Sequence, residues 1–280
     1  MKDILILGGT GKTGRRIVQR LHSAGLPVRT ASRSSGFDLG DPDTWASAFD
    51  GVTAAYLVEP DLRAGVDRQA RFPRLVTEAV GAGVRRLVLL SAHDVGKAGD
   101  DHPLKAAEQA VRDSGAAWTI LRPTWFSQNF SEAFFLPGIL HGTLALPTGD
   151  GRTPFVDAED IAAVAASALT EERHDGQEYQ LTGPRAISFG EAADLIGRAT
   201  GRTIRHLDVD PDSYVERRVA EGVPRDVALL LTDLLVSVRD GGSAALSDGV
   251  ERALSRPPRP FEEYVAEAAA AGSFSSAPAS

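Results

Sequence analysis

Apolar residues along the chain gather into short, mainly apolar runs, separated by stretches in which apolar positions return every three or four residues. The runs are Ile4 to Leu7, Val28 to Ala31, Ala54 to Val58, Leu87 to Leu90 and Trp118 to Leu121. Runs this short and this apolar read as strands buried on both faces. The intervening stretches read as amphipathic helices: one carries Ile17, Val18 and Leu21, another spans Asp67 to Ala82, and a third spans Pro103 to Ser114 with Gly115 as its stop signal. Regular alternation of strand and helix predicts an α/β fold with a doubly wound parallel sheet.

After Pro123 the texture changes. TWFSQNFSEAFFLPG is aromatic and turn-rich, and LPTGDGRTPFVDAEDIA predicts a short strand, a turn at Asp150-Gly151 and a helix with Asp160 as its N-cap. Asp157 and Asp160 therefore read as structural carboxylates. Two S-x-x-E patterns, Ser188 to Glu191 and Ser213 to Glu216, each read as a capping box heading a helix. The organisation expected is a single domain over 1–268, with a small C-terminal substrate lobe built mainly from 124–158 and 183–268. A disordered tail is expected over 269–280, where small and polar residues leave little to bury.

The first strand runs into GGTGKTGRR. Its GKT is shared with nucleoside-triphosphate-splitting P-loops, but that pattern needs a glycine where Ile6 stands, inside the apolar run. Gly9, Gly11 and Gly14 instead make G-x-G-x-x-G, and Gly8, Gly11 and Gly14 make G-x-x-G-x-x-G, both between a strand and a helix. That context predicts a Rossmann-type dinucleotide site, with Gly8, Gly9, Thr10, Gly11, Lys12, Thr13 and Gly14 around the pyrophosphate at a helix N-terminus. An NAD-preferring site places an acid at the end of the second strand to hold the ribose 2′-hydroxyl. Here that end reads Ala31-Ser32-Arg33-Ser34, so Ser32 and Arg33, with Lys12 from the loop, suit a 2′-phosphate, and the cofactor expected is NADP(H). Asp38 and Leu39 are candidates for the adenine. Glu59 and Pro60, just after the third run, complete the cofactor-binding set.

The chain has 280 residues and is 42% hydrophobic, enough for a substantial core. It has no cysteine, and its six histidines show no paired metal-ligand spacing, so no structural metal is expected. A formal charge of −8 argues against nucleic-acid binding. Neither a leader pattern nor a membrane span is evident, so a cytoplasmic monomer or homodimer acting on a small molecule is expected.

GGTGKTGRR, ASRS, the strand-end Ser91 and AWTILRPTWFSQNF together resemble the NmrA-like, atypical branch of the short-chain dehydrogenase/reductase superfamily. Within it, the likeness is to ergot-alkaloid-reductase-like and actinobacterial NAD(P)H-binding proteins, and it runs from Lys2 to about Ala268. The resemblance implies a Rossmann-type domain with a substrate lobe. The branch holds quinone and imine reductases, epimerase-like enzymes and redox-sensing regulators. Catalytic members of the wider superfamily carry Tyr-x-x-x-Lys, whose tyrosine hands a proton to the substrate. Lys105 is present, but Asp101 stands where the tyrosine would, and none of the four tyrosines lies nearby. Candidate replacements for the acid are Ser91, His93 and His102, and Lys105 either holds the nicotinamide ribose hydroxyls or points into solvent. Trp125, Phe126 and Asn129 are the substrate-pocket candidates, from an aromatic cluster that also includes Phe130, Phe134 and Phe135. The function expected is an NADPH-dependent reductase of a small, largely apolar carbonyl, quinone or imine compound. An NADP(H)-sensing regulator without turnover, and an isomerase or cyclase, are the alternatives.

Overall fold

A computed structural model describes residues 3–61, 66–97, 99–100 and 102–275. From the N-terminus, β1 (Asp3–Leu7), α1 (Lys12–Ser23), β2 (Val28–Ala31), α2 (Trp45–Phe49), β3 (Val52–Val58), α3 (Val66–Gly81), β4 (Arg86–Leu90), α4 (Pro103–Asp113) and β5 (Ala117–Pro123) alternate. There follow α5 (Asn129–Glu132), α6 (Leu136–His141), β6 (Thr143–Leu146), β7 (Arg152–Thr153), α7 (Ala158–Thr170), β8 (Gln177–Leu181), β9 (Ile187–Ser188) and α8 (Phe189–Thr200). The last elements are β10 (Arg205–Asp208), α9 (Pro211–Ala220), α10 (Arg225–Arg239), α11 (Gly249–Leu254) and α12 (Phe261–Ala270). Residue contacts divide the chain into two units: Met1–Pro123, Ala158–Leu181 and Asp248–Pro257 form the first, and Thr124–Asp157, Thr182–Ser247 and Pro258–Ser280 the second.

The first unit holds a six-stranded, all-parallel sheet in the order β2-β1-β3-β4-β5-β8. Side chains alternate across a strand, so Leu5, Leu7, Ala55, Leu57, Leu87 and Leu89 face one layer, packed by Trp45 and Phe49 of α2, Phe72 and Leu75 of α3, and Val111 of α4. Helix α7 packs on β3, β4 and β5 and against α1. The predicted strands are all present, and β8 is an addition. Its sequence QEYQL puts Glu178 and Gln180 among apolar positions because it is an edge strand with β5 as its one neighbour.

In the second unit, β6 pairs with β10 and β7 pairs with β9. Its core is aromatic: Phe130, Phe135, Phe155, Phe189 and Phe261 are at most 6% exposed, and Phe130 lies 5.1 to 5.9 Å from the other four rings.

Several boundaries differ from the sequence reading. Residues 248–257, assigned above to the substrate lobe, fall in the first unit, where a Cβ on Gly249 of α11 would meet the Gln180 carbonyl oxygen of β8 at 1.9 Å. The tail does not begin at 269. Helix α12 continues to Ala270, and Phe274 is buried edge-on to Tyr264 at 6.4 Å, while its carbonyl accepts from Arg202 Nη1 at 3.0 Å. The buried Phe274 ring and the Arg202 bond together hold this segment; residues 276–280 lie outside the described residues. Asp160 is not an N-cap, because α7 starts at Ala158 and Asp160 is buried in its first turn, ion-paired with Arg256 at 2.7 Å. The box at Ser188 forms as expected. The box at Ser213 does not: Asp210 caps α9 with Pro211 as its first residue, and the Ser213 N–H donates to the Asp210 carboxylate at 2.9 Å.

Candidate functional site

The glycine loop joins β1 to α1. Gly8 has φ +65°, a region open to glycine, and its carbonyl accepts from the Gly11 N–H at 2.8 Å. Gly11 then caps α1 in extended backbone. A Cβ on Gly9 would lie 2.4 Å from Thr30 of β2, and one on Gly14 would lie 2.2 Å from the Gly8 carbonyl oxygen. Gly8, Gly9 and Gly14 thus each have a separate reason to be glycine. The backbone is drawn tight enough to bring the N–H groups at the start of α1 to an anion, with no acidic side chain in the first turn to oppose it. Ile6, which would have to join a P-loop cradle, is fully buried in β1. Thr10 is exposed and Lys12 half-buried, whereas Thr13 is buried with its Oγ1 2.9 Å from the Tyr56 hydroxyl of β3. Burial pushes the Tyr56 pKa far up, only partly offset by Thr13, so the pair is a neutral tie between helix and sheet.

At the end of β2, Ser32 donates its N–H to Ser35 Oγ at 2.9 Å, and its own hydroxyl lies 2.8 Å from Ser34 Oγ. These bonds shape a single 3-10 turn, Arg33–Ser35. The Arg33 side chain is exposed and has no ion-pair or hydrogen-bond partner among the described residues. The Asp38 carboxylate accepts from the Gly40 N–H at 2.8 Å, and its carbonyl accepts from Trp45 Nε1 at 3.0 Å, while Leu39 is half-buried. The Glu59 side chain is wholly buried, with Arg71 Nη2 at 2.5 Å and the Asp61 N–H at 2.9 Å on Oε1; Pro60 beside it is exposed. That carboxylate holds its own loop together.

Beyond β4 stand the acid candidates. Ser91 is buried and donates to Glu108 Oε1 at 2.6 Å. Glu108, one turn after Lys105, also receives Arg122 of β5 at 2.8 and 2.5 Å and Arg112 at 2.8 Å. Burial would raise the Glu108 pKa, but hydrogen bonds from Arg122 and Ser91 outweigh it and hold the carboxyl below the usual carboxylate range. Sequence reasoning missed this network. Its signals were a lone arginine in the apolar strand TILRP and an acid at an apolar position of α4. His93 places Nδ1 in a buried position with no partner among the described residues, so a proton there would be a buried N–H without an acceptor. His102 caps α4, its Nδ1 accepting from the Leu104 N–H at 3.2 Å, which puts the ring proton on Nε2. Lys105 Nζ is ion-paired with Asp100 at 3.1 Å. Asp101, at the position of the missing tyrosine, lies outside the described residues.

In the second unit, Trp125 is half-buried against Phe135 at 5.7 Å, and Phe126 forms a bridge with Val156. Asn129 is buried and opens α5, and Phe134 is 50% exposed. Asp157 is buried and takes Gln128 Nε2 at 2.6 Å and Arg259 at 3.2 Å, which supports its structural reading. Among the described residues no cluster of three or more metal-ligating side chains occurs, and no helix is long and apolar enough to cross a membrane.

A family model described as NAD(P)H-binding matches residues 8–172. An NAD(P)H azoreductase of Xenophilus azovorans is 32% identical, over 96% of this chain and 98% of the relative. Festuclavine synthase II of Penicillium roqueforti is 34% identical, over 93% of this chain and 96% of the relative. Among solved structures, the triphenylmethane reductase of Citrobacter sp. complexed with NADP(H) superposes with a TM-score of 0.76 at 21% identity, over 95% of this chain and 99% of that one, and shows the same fold. With the family match covering more than half the chain and named enzymes aligned along nearly all of it, the chain belongs to the NAD(P)H-binding family, as one of its oxidoreductases.

Proposed function

We propose that this protein is an NADPH-dependent reductase of a small, largely apolar carbonyl, quinone or imine compound. The observation that carries the reading is the pairing of a tight glycine loop with a second-strand end that presents Arg33, unpaired and exposed, where an NAD site would present an acid. The N–H groups at the start of α1 hold the pyrophosphate. Arg33, Ser32 and Lys12 take the 2′-phosphate, and the Asp38-Leu39 turn with Glu59-Pro60 borders the adenosine. Bound NADPH supplies the hydride. Ser91, His102 and Lys105 sit at the carboxyl end of β4 and the first turn of α4, the end of a parallel sheet at which ligands bind in such folds. Trp125, Phe126 and Asn129 are the proposed substrate contacts. The reductions named for the azoreductase and triphenylmethane reductase relatives support the class of chemistry.

The test is substrate-dependent NADPH oxidation across a panel of carbonyls, quinones and imines. Turnover of one class by the purified chain is expected. Silence across all three, with NADPH bound, would sink the reading.

A further inference from the structure

Ser91 stands just beyond β4 and is 6% exposed. A serine hydroxyl has one proton to donate and two lone pairs with which to accept. Here that proton goes to Glu108 Oε1. The carboxylate is fixed in turn, because Arg122 reaches both of its oxygens and Arg112 reaches Oε2. Glu178 closes the set, with Arg112 at 2.6 Å and Arg122 at 2.7 Å. Three secondary elements, α4, β5 and β8, therefore fix where the Ser91 proton points. Toward a ligand at the strand end, Oγ has only lone pairs to offer.

We propose that Ser91 is a hydrogen-bond acceptor for an N–H or O–H group of the bound ligand, and that Glu108 is the positioning residue that sets this polarity. A ketone or quinone oxygen, itself an acceptor, gains nothing at Ser91. The proposal deepens the reductase reading by naming the kind of group held at β4, and rests on it for the ligand's location. The donor belongs either to the dinucleotide, as a ribose hydroxyl or carboxamide N–H, or to the substrate.

Calorimetry separates these sources. One arm titrates NADPH; the other titrates piperidinium and cyclohexanone, rings of similar size with a donor and an acceptor respectively, into NADP⁺-loaded protein. In Ser91→Ala, a roughly tenfold loss of NADPH affinity places the donor on the dinucleotide, whereas loss of a preference for piperidinium places it on the substrate; the size is that of one buried hydrogen bond. Ser91→Thr, which keeps the hydroxyl, restores either behaviour. Glu108→Asp keeps the charge facing the arginines but shortens its reach, so Ser91 regains a free proton and the ring preference moves toward cyclohexanone, a change that a merely structural role would not produce. If Ser91→Ala alters neither the NADPH affinity nor the ring ratio, the proposal is overturned. Turnover in the substrate panel alongside unmoved affinities would overturn this proposal alone. Affinities that move as expected, with no turnover of any class, would sustain it and overturn only the reductase reading.

Discussion

Gly14 leaves no room for a methyl group. An alanine there would put Cβ 2.2 Å from the Gly8 carbonyl oxygen and 2.9 Å from the Gly9 Cα, and neither backbone atom can rotate away as a side chain would. Gly14→Ala should therefore cost about 1–3 kcal/mol of stability and displace the start of α1, weakening NADPH by at least about tenfold; urea unfolding and calorimetry measure the two. A variant as stable and as tight as the wild type would mean that the loop does not cradle the cofactor. Arg33 tests cofactor choice without touching the fold, since its exposed side chain has no partner among the described residues. Arg33→Ala should weaken NADPH by about 1.5–3 kcal/mol, the range for a hydrogen bond to a charged group, and barely change NADH. Equal wild-type affinity for the two cofactors would contradict the assignment.

Among the elements, the two S-x-x-E patterns make a controlled pair. In α8, Ser188 Oγ accepts from the Glu191 N–H at 3.1 Å and Glu191 answers with an acceptor for the Ser188 N–H at 2.8 Å. Ser188→Ala should lose about 0.5–2 kcal/mol of stability. Ser213→Ala should be near neutral in the same denaturation assay, because Asp210 performs the capping in α9. The letters alone could not separate them; an aspartate before a proline outcompetes a serine three places on. The same limit runs through the rest of the reading. Strands β1, β3, β4 and β5 were legible because burial on both faces makes them largely apolar; the two edge strands carry polar residues, Arg29 and Thr30 in β2 and Glu178 and Gln180 in β8, and these hid β8. The glycine loop and the Arg33 turn were legible because their chemistry is local. Ser91 could be singled out, but its partner Glu108 lies 17 residues on and Arg122 a further 14, and nothing in one sequence joins them.

At the scale of the whole molecule, each unit contains a histidine drawn out of water, His174 buried and His206 half-buried. His174, in the first, lies between Tyr179 and Ser167 at 2.9 and 2.8 Å; His206, in the second, meets Thr148 Oγ1 at 3.0 Å. Burial lowers both pKa values below the usual 6.5; Arg173 adds to the effect at His174, and Asp208 opposes it at His206. The sign follows. As pH falls through about 6.5 the unfolded chain takes up protons that the folded one refuses, so stability should decline below that pH by at most about 1.4 kcal/mol per unit per histidine. Unfolding midpoints at neutral and mildly acidic pH should show the decline, and His174→Asn should flatten it; a midpoint constant to pH 5 would count against the burial of these rings. The three tryptophans are also divided, with Trp45 and Trp118 in the first unit and Trp125 in the second. Only Trp45 is nearly sealed, at 2% exposure, and its indole N–H is anchored on the carbonyl of Asp38. Replacing the other two with phenylalanine would leave a single indole beside the turn proposed for adenosine, and under excitation selective for indole the colour of its emission would report, without any added label, when that turn is occupied.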